Sequence, residues 1–231
     1  MRTVVLVSAD AEWRVVKSLL QISETSISPV GEYFGHKVEQ WPVTVFHGGW
    51  GRVSAAATTQ YVIDKMCPDL IINLGTCGGF EGRIERGAII LAVRTIIYDI
   101  LEQMTDPAEA IEHYSTTLKM PWLPRESPTP VKRGLLVSGD RDIVAGDITG
   151  LIDRYGAVAA DWESGAIAWV ADKNSQPLLI LRGVSDLVGN AGGEAYGAYE
   201  LFIERTRGIM GELFAALPIW LSEIERQLPA R

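Results

Sequence analysis

Five short segments with acidic or hydroxyl side chains each follow directly after an apolar, strand-like run of this chain. They are Ser8–Glu12, Gly75–Gly79, Ser138–Asp140, Asp161–Glu163 and Ser185–Asp186. In an open α/β sheet, the carboxyl ends of the strands form one edge, and ligands bind at that edge. We therefore expect residues that are far apart in the sequence to converge on a single pocket.

Apolar runs alternate with helical patterns along most of the chain. Strands are predicted at Thr3–Ser8, Gly31–Gln40, Pro42–His47, Asp69–Leu74, Gly87–Ile97, Gly134–Ser138, Ala157–Ala160 and Pro177–Val184. Helices are predicted at Glu12–Leu20, Gly51–Met66, Ile143–Tyr155, Ser164–Asp172 and Tyr196–Leu228. This alternation predicts an α/β fold, a three-layer α/β/α sandwich around a mixed, mostly parallel central sheet. The length of 231 residues suits one large core, so residues 1–231 are expected to form a single domain.

Glycine, proline and a helix-start aspartate give further local expectations. Asp10 is expected to cap the first helix, and Gly75–Gly79 is expected to be a loop whose backbone approaches a ligand. Residues 100–130 contain five prolines and are expected to cross the surface, either as a simple excursion or as a lid. Gly189–Gly193 is predicted to be a flexible loop, and Pro218 is expected to break the last helix.

Composition excludes several classes of function. The net charge of −8 disfavours a nucleic-acid partner, because an acidic surface repels phosphate. The two cysteines, Cys67 and Cys77, form no zinc or disulfide pattern, and the three histidines have no ligand-like spacing. We therefore expect no metal and no cofactor. No apolar run reaches membrane-spanning length, so we predict a cytoplasmic protein without a membrane partner.

Four segments, in their order and spacing, resemble a known family. They are Pro68–Gly79, Leu136–Asp140, Asp161–Ala168 and Arg182–Asp186. The chain is similar here to the purine nucleoside phosphorylase/uridine phosphorylase superfamily. Within it, the chain most resembles the 5′-methylthioadenosine/S-adenosylhomocysteine nucleosidases. The resemblance covers roughly residues 1–100 and 133–225, and it implies a homodimer that cleaves a small purine nucleoside in methionine salvage.

The resemblance also implies a role for each matching residue. Asp186 matches the aspartate that protonates N7 of the departing purine, and Glu12 matches the glutamate that activates the attacking water. Glu163 matches the glutamate that binds the ribose hydroxyls, and Thr76 matches the residue that holds the water or, in phosphorylases, the phosphate. One carboxyl group would thus act as acid and another as base around a glycosidic carbon. The local sequence alone favours the interpretation of Glu12 as an ordinary acidic residue at a helix start.

The remaining substrate-binding positions that the resemblance implies include two departures from the family pattern. These positions are Gly78, Asp142, Ile143 and Trp162. Asp142 stands where the family usually has an aromatic residue that stacks on the base, and a carboxylate does not stack. Trp162 replaces a smaller methionine next to the ribose. The base therefore stacks on another residue, or the natural nucleoside differs.

Charge favours hydrolysis over phosphorolysis. Phosphate binding usually requires arginine near the glycine-rich segments, yet the chain has Asn73 where related phosphorylases have arginine. Asp10 and Glu12 would repel phosphate, while Arg14 and Arg52 are potential phosphate ligands. Two further alternatives stay open, a nucleoside phosphorylase and a non-catalytic nucleoside-binding domain. A Rossmann-type oxidoreductase is disfavoured because the glycine fingerprint is missing.

Overall fold

The computed structural model describes residues 1–228, and within them eleven strands and six helices are found. The strands are β1 (Thr3–Val7), β2 (Ser26–Ser28), β3 (Gly31–Val38), β4 (Trp41–His47), β5 (Leu70–Phe80), β6 (Ile89–Ile97), β7 (Ser115–Thr117), β8 (Lys132–Ser138), β9 (Ala157–Asp161), β10 (Leu178–Gly189) and β11 (Gly192–Gly193). The helices are α1 (Asp10–Leu19), α2 (Gly51–Met66), α3 (Pro107–His113), α4 (Ala145–Tyr155), α5 (Ser164–Lys173) and α6 (Tyr199–Gln227).

One mixed sheet contains all of these strands. β1 lies between β4 and β5 and pairs in parallel with both. β5 also pairs in parallel with β10. From β10 the sheet runs through β6 and β8 to β9, which pairs back onto β5 in antiparallel register. Five strands therefore close into a ring, whereas β2, β3 and β4 extend from β1 as an open edge. The mixed α/β fold predicted from the sequence is confirmed.

Helices cover both faces of the sheet. On β1, Val5 and Val7 pack into a core with α1 and α6, whereas Val4 and Leu6 pack into a second core with α2 and α5. This alternation follows from the two-residue period of a strand, which turns successive side chains to opposite faces. The three layers of the predicted sandwich are present. Among the described helices, none combines the length and the hydropathy that a membrane span requires.

The prediction that Gly75–Gly79 forms a loop is wrong. β5 runs through these residues to Phe80, in parallel register with β10 from Leu178 to Val188. The glycines serve close packing: a Cβ atom built on Gly75 would lie 1.9 Å from Nη1 of Arg182, and one on Gly79 would lie 2.6 Å from Cγ1 of Val184. A glycine that makes room for a neighbour gives the same sequence signal as a glycine in a turn.

Both ends of the chain also differ from expectation. α1 begins at Asp10, with Ala9 rather than Asp10 at the N-cap, and the Glu12 carboxylate accepts a bond from the Ala9 N–H at 3.3 Å. α6 begins at Tyr199 and passes through Pro218 without ending. The buried side chains Leu217 and Trp220 hold both sides of the proline in the core, so tertiary packing outweighs the lost backbone hydrogen bond.

The segment 100–130 forms an excursion with structure of its own. It contains α3 and β7, and β7 pairs with β6. Two residues of the segment, Trp122 and Leu123, are buried in the core of the protein. No residue of this segment lines the main cavity, so the lid alternative is not supported. The predicted flexible loop Gly189–Gly193 instead includes β11, which forms a short hairpin with β10.

Candidate functional site

A cavity of about 650 Å³ opens at one edge of the sheet, where polar residues lie at or near the C-terminal ends of β1, β9 and β10. β1 and β10 flank β5, so α1, β5 and β10 bring their side chains together from three adjacent positions in the sheet. All eight site residues predicted from the sequence line this cavity. They are Glu12, Thr76, Gly78, Asp142, Ile143, Trp162, Glu163 and Asp186.

Glu12 is fixed in the cavity wall by Thr76. Its side chain is buried in the first turn of α1, and Oε1 accepts hydrogen bonds from the Thr76 backbone N–H at 2.6 Å and hydroxyl at 2.9 Å. These bonds orient the carboxylate and satisfy much of its hydrogen-bonding capacity, which a buried carboxylate requires. The Thr76 hydroxyl keeps its oxygen lone pairs free to accept a further bond.

A fully buried arginine lies under the carboxylates of the site. Arg182 Nε donates to the Ser164 hydroxyl at 3.0 Å and lies 3.0 Å from Oδ2 of Asp161, while Nη2 donates to Oδ1 of Asn73 at 2.9 Å. Asp161 also accepts bonds from Ser138 and Ser164. Asn73 does not line the cavity. It therefore supports Arg182 and does not face a nucleophile directly.

One guanidinium nitrogen of Arg182 has no hydrogen-bond partner. Nη1 is inaccessible to solvent and unpaired among the residues 1–228 that the structure describes. It lies 3.7 Å from Oε1 of Glu12, and Nη2 lies 3.9 Å from Oε2 of Glu163. A buried unpaired N–H is unfavourable. Arg182 does not line the cavity, so this nitrogen lies behind the carboxylates of Glu12 and Glu163.

Glu163 holds its proton more tightly than an ordinary glutamate. Burial raises its pKa to about 8, with the positive charge of Arg182 opposing the shift and the nearby Asp161 and Glu12 adding to it. Burial outweighs the arginine because Arg182 is shared among three carboxyl groups. Oε1 of Glu163 accepts a hydrogen bond from the Gly51 N–H at the start of α2, at 3.1 Å.

Asp186 lies on β10 beside Gly78 of β5. Burial raises the pKa of its carboxyl group, and the Ser185 hydroxyl, which donates to Oδ1 at 2.7 Å, opposes part of the shift. A buried carboxyl group with a raised pKa keeps its proton to higher pH, which is what a general acid requires.

Aromatic rings form much of the remaining wall. Trp162 stacks on Trp50, with ring centroids 5.2 Å apart, beside Glu163. Tyr199 accepts a bond from Arg14 at 3.1 Å. Tyr196 donates to the Ile143 carbonyl at 3.0 Å. Asp142 lines the cavity but is exposed, at its rim. The inner wall is formed by the aromatic rings instead.

The sequence model of the phosphorylase superfamily matches residues 3–217. The chain belongs to this superfamily. The prediction of the superfamily from the order and spacing of four segments is therefore confirmed.

Several proteins to which the chain is similar are named as nucleosidases. A 5′-methylthioadenosine/S-adenosylhomocysteine nucleosidase of Staphylococcus aureus is 29% identical over 198 residues, covering 81% of this chain and 85% of the relative. The structure of 5′-methylthioadenosine nucleosidase of Arabidopsis thaliana matches with a TM-score of 0.76 and 25% identity, covering 96% of each chain. The Streptococcus pneumoniae nucleosidase with a transition-state inhibitor matches with a TM-score of 0.73 and 20% identity, covering 95% of this chain and all of that one. The predicted enzyme class, nucleosidase, agrees with these names.

The sequence reasoning missed several residues of the site. Asp161, Tyr196, Tyr199 and Trp50 line the cavity, and Arg182 lies behind its wall as the ion-pair partner of Asp161. Arg182 had a recognisable signal, since a lone arginine inside an otherwise apolar strand needs a buried partner. Among the described residues, no group of three or more His, Cys, Asp or Glu side chains is arranged to hold a metal ion.

Proposed function

We propose that this protein is an N-ribosyl hydrolase that cleaves the glycosidic bond of a purine nucleoside such as 5′-methylthioadenosine or S-adenosylhomocysteine. The observation that carries the proposal is the pairing of two carboxyl groups with different environments in one cavity. Glu12 is tied to Thr76 and lies beside Arg182, whereas Asp186 has a pKa raised by burial. Acid–base cleavage of a glycoside needs one carboxyl group that gives a proton and a second that takes one.

In the proposed reaction, Asp186 is the general acid. The bond between C1′ and N9 breaks, its electron pair passes into the purine ring, and the purine takes the Asp186 proton at N7. Protonation makes the purine a neutral leaving group and lowers the barrier to bond cleavage. The sugar becomes electron-poor at C1′, and the ribose hydroxyls, bound by Glu163, hold it in place.

Glu12 is the proposed general base. A water molecule held by Glu12 and Thr76, which both line the cavity, adds to C1′ and transfers a proton to Glu12. The products are free purine and free ribose derivative, and Glu12 and Asp186 return to their starting states by exchange with solvent. The Thr76 hydroxyl oxygen accepts the second hydrogen of this water, so a lone pair of the water is directed to the sugar.

Phosphorolysis is the second candidate function. Two arginines that could bind phosphate, Arg14 and Arg141, line the cavity and favour it. Each is already engaged: Arg14 donates to Tyr199, and Arg141 lies 2.5 Å from Asp147. Arg52 does not line the cavity and is paired with Asp99 and Asp140. Arg182 is surrounded by three carboxyl groups. This balance of charge supports water over a phosphate dianion.

We propose further that the chain acts as a single cytoplasmic domain that forms a homodimer. Trp50 and Val53 are exposed apolar side chains at the start of α2. Leu101 and Met104 are also exposed, in the segment after Asp99, which an ion pair with Arg52 joins to α2. An exposed apolar group of this kind is typical of a surface that a second copy covers. Sedimentation of the wild type and of Val53→Asp tests it: the variant should dissociate.

The decisive experiment measures base release from a panel of purine nucleosides in phosphate-free buffer. We expect free base and free sugar from the wild type, with no dependence on added phosphate. Glu12→Gln should lose most turnover while still binding free adenine, because base contacts lie elsewhere in the cavity. Activity that appears only with phosphate, together with ribose-1-phosphate as product, would establish the phosphorylase instead.

A further inference from the structure

Tyr196 presents an aromatic ring to the cavity from a segment that precedes α6. One side of the ring lies against the backbone of Gly193, where a built Cβ atom would be 2.5 Å from Cε1 and 2.8 Å from Cζ of the ring. The hydroxyl donates to the Ile143 carbonyl at 3.0 Å. The ring is thus held on one side and at its tip, while 45% of the residue remains exposed.

An ionic clamp holds the segment that carries this tyrosine. Glu194 binds the guanidinium groups of Arg86 and Arg205, at 3.0 Å and 3.1 Å. Its carboxylate also accepts a bond from the Leu187 N–H of β10, and its own N–H donates to the Leu187 carbonyl. The two arginines, with Arg86 first, lower the pKa of Glu194 to about 2, so the clamp stays charged at any physiological pH. Tyr196 follows two residues later, and its own N–H donates to the Gly193 carbonyl at 3.1 Å.

The segment that carries Tyr196 also contacts the proposed general acid, because the backbone of Ala195, the preceding residue, hydrogen-bonds to the Asp186 carboxyl group. Tyr196 and Asp186 line the same cavity. Burial raises the pKa of Tyr196 to about 12. Three other rings of the cavity are engaged with other groups. Trp50 and Trp162 stack on each other beside Glu163, and Tyr199 is bonded to Arg14 of α1.

We infer that the ring of Tyr196 is the face on which the purine base stacks, with Ile143 beside it and Asp186 at the edge of the base. The inference rests on the proposed function, because a base that takes a proton from Asp186 must lie next to that carboxyl group. A ring already immobilised by Gly193 and Ile143 loses little conformational freedom on binding, which favours stacking. Asp142 has no aromatic surface, so Tyr196 supplies this contact from a different segment.

The test measures binding of free adenine to the wild-type protein and to Tyr196→Leu, Tyr196→Phe and Tyr114→Leu. Tyr114 packs on Trp169 outside the cavity and is the matched control. Loss of base stacking should weaken adenine binding of Tyr196→Leu by about tenfold or more. Tyr196→Phe should stay within about threefold of the wild type, since the ring is retained, and Tyr114→Leu should bind as the wild type does.

Nuclear magnetic resonance gives a second readout that does not depend on affinity. Wild-type protein should show nuclear Overhauser contacts between adenine H2 or H8 and tyrosine ring protons, and Tyr196→Leu should lack them. If Tyr196→Leu does not fold, a folded Tyr196→Phe with tenfold weaker binding would overturn the inference. Unchanged adenine binding by folded Tyr196→Leu would also overturn it. If the wild type releases base and Tyr196→Leu binds adenine as tightly as the wild type, only the stacking role is refuted. If the wild type cleaves no nucleoside, the proposed function is refuted.

Discussion

Oε1 of Glu12 lies 3.7 Å from Nη1 of Arg182, and that nitrogen has no hydrogen-bond partner within residues 1–228. The rest of the guanidinium is bound by Asp161, Ser164 and Asn73. One arginine therefore compensates several buried carboxyl groups, among them the proposed base. Its substitution is informative because it should affect the stability of the fold and the position of Glu12.

Arg182→Met should destabilise the fold strongly. The substitution leaves the buried carboxyl groups of Asp161 and Glu12 without their cation, and breaking one side of a buried ion pair costs about 3–5 kcal/mol. Urea unfolding followed by circular dichroism measures the change. Arg226→Met is the matched control, because Arg226 is mostly exposed in its pair with Glu223, and a change of about 0–1 kcal/mol is expected there. Equal effects of the two variants would contradict the central role of Arg182.

Gly75→Ala should disturb the same contact from the other side. A Cβ atom at this position would lie 1.9 Å from Nη1 of Arg182 and 2.8 Å from Oε1 of Glu12, so both side chains must move. We expect reduced stability and a larger relative loss of turnover. Gly35→Ala provides the control, since a Cβ atom there meets nothing within 4 Å. Thermal unfolding and base release of both variants check the prediction, and a fully active Gly75→Ala would refute the described packing.

The sequence predicted which residues meet in the cavity better than it predicted how the buried residues behind them pack. The ends of the strands are visible as apolar runs followed by polar residues, and parallel strands place those ends together. Gly75 and Pro218 were misread because local signals for turns and breaks are overridden by packing that involves distant residues, Arg182 in one case and Trp220 in the other. Tyr196 was not predicted because its position depends on the clamp at Glu194, which joins residues that are 108 positions apart.

Glu163→Gln should make stability less sensitive to alkaline pH. The folded-state pKa of Glu163 is about 8, above its ordinary value of 4.5, so the folded protein retains a proton that the unfolded chain has lost. This contribution is complete below pH 4.5 and disappears as the pH rises through 8, so the wild type loses stability over that range. Glutamine keeps an oxygen for the Gly51 N–H without an ionisable group.

Urea unfolding at about pH 5 and about pH 9 compares the wild type with Glu163→Gln. The stability of the variant relative to the wild type should increase between the two pH values. Glu194→Gln is the control, because the pKa of Glu194 is about 2, below the range, and its relative stability should stay constant. A relative stability of Glu163→Gln that is the same at both pH values would show that Glu163 is ionised throughout.

Asp186→Asn should lower the rate of base release about 10²–10⁴-fold, because an amide has the shape of the acid but no proton to give. If the loss of the proton donor causes this effect, the size of the rate loss should depend on the leaving group. A 4-nitrophenyl riboside departs as a stable anion without protonation, so its hydrolysis should be nearly unaffected by the variant. Steady-state rates with a purine nucleoside and with the nitrophenyl substrate measure this contrast, and adenine affinity serves as the control for an intact cavity. Equal losses with both substrates would show that Asp186 acts in another way, whereas loss with the purine alone would identify it as the proton donor.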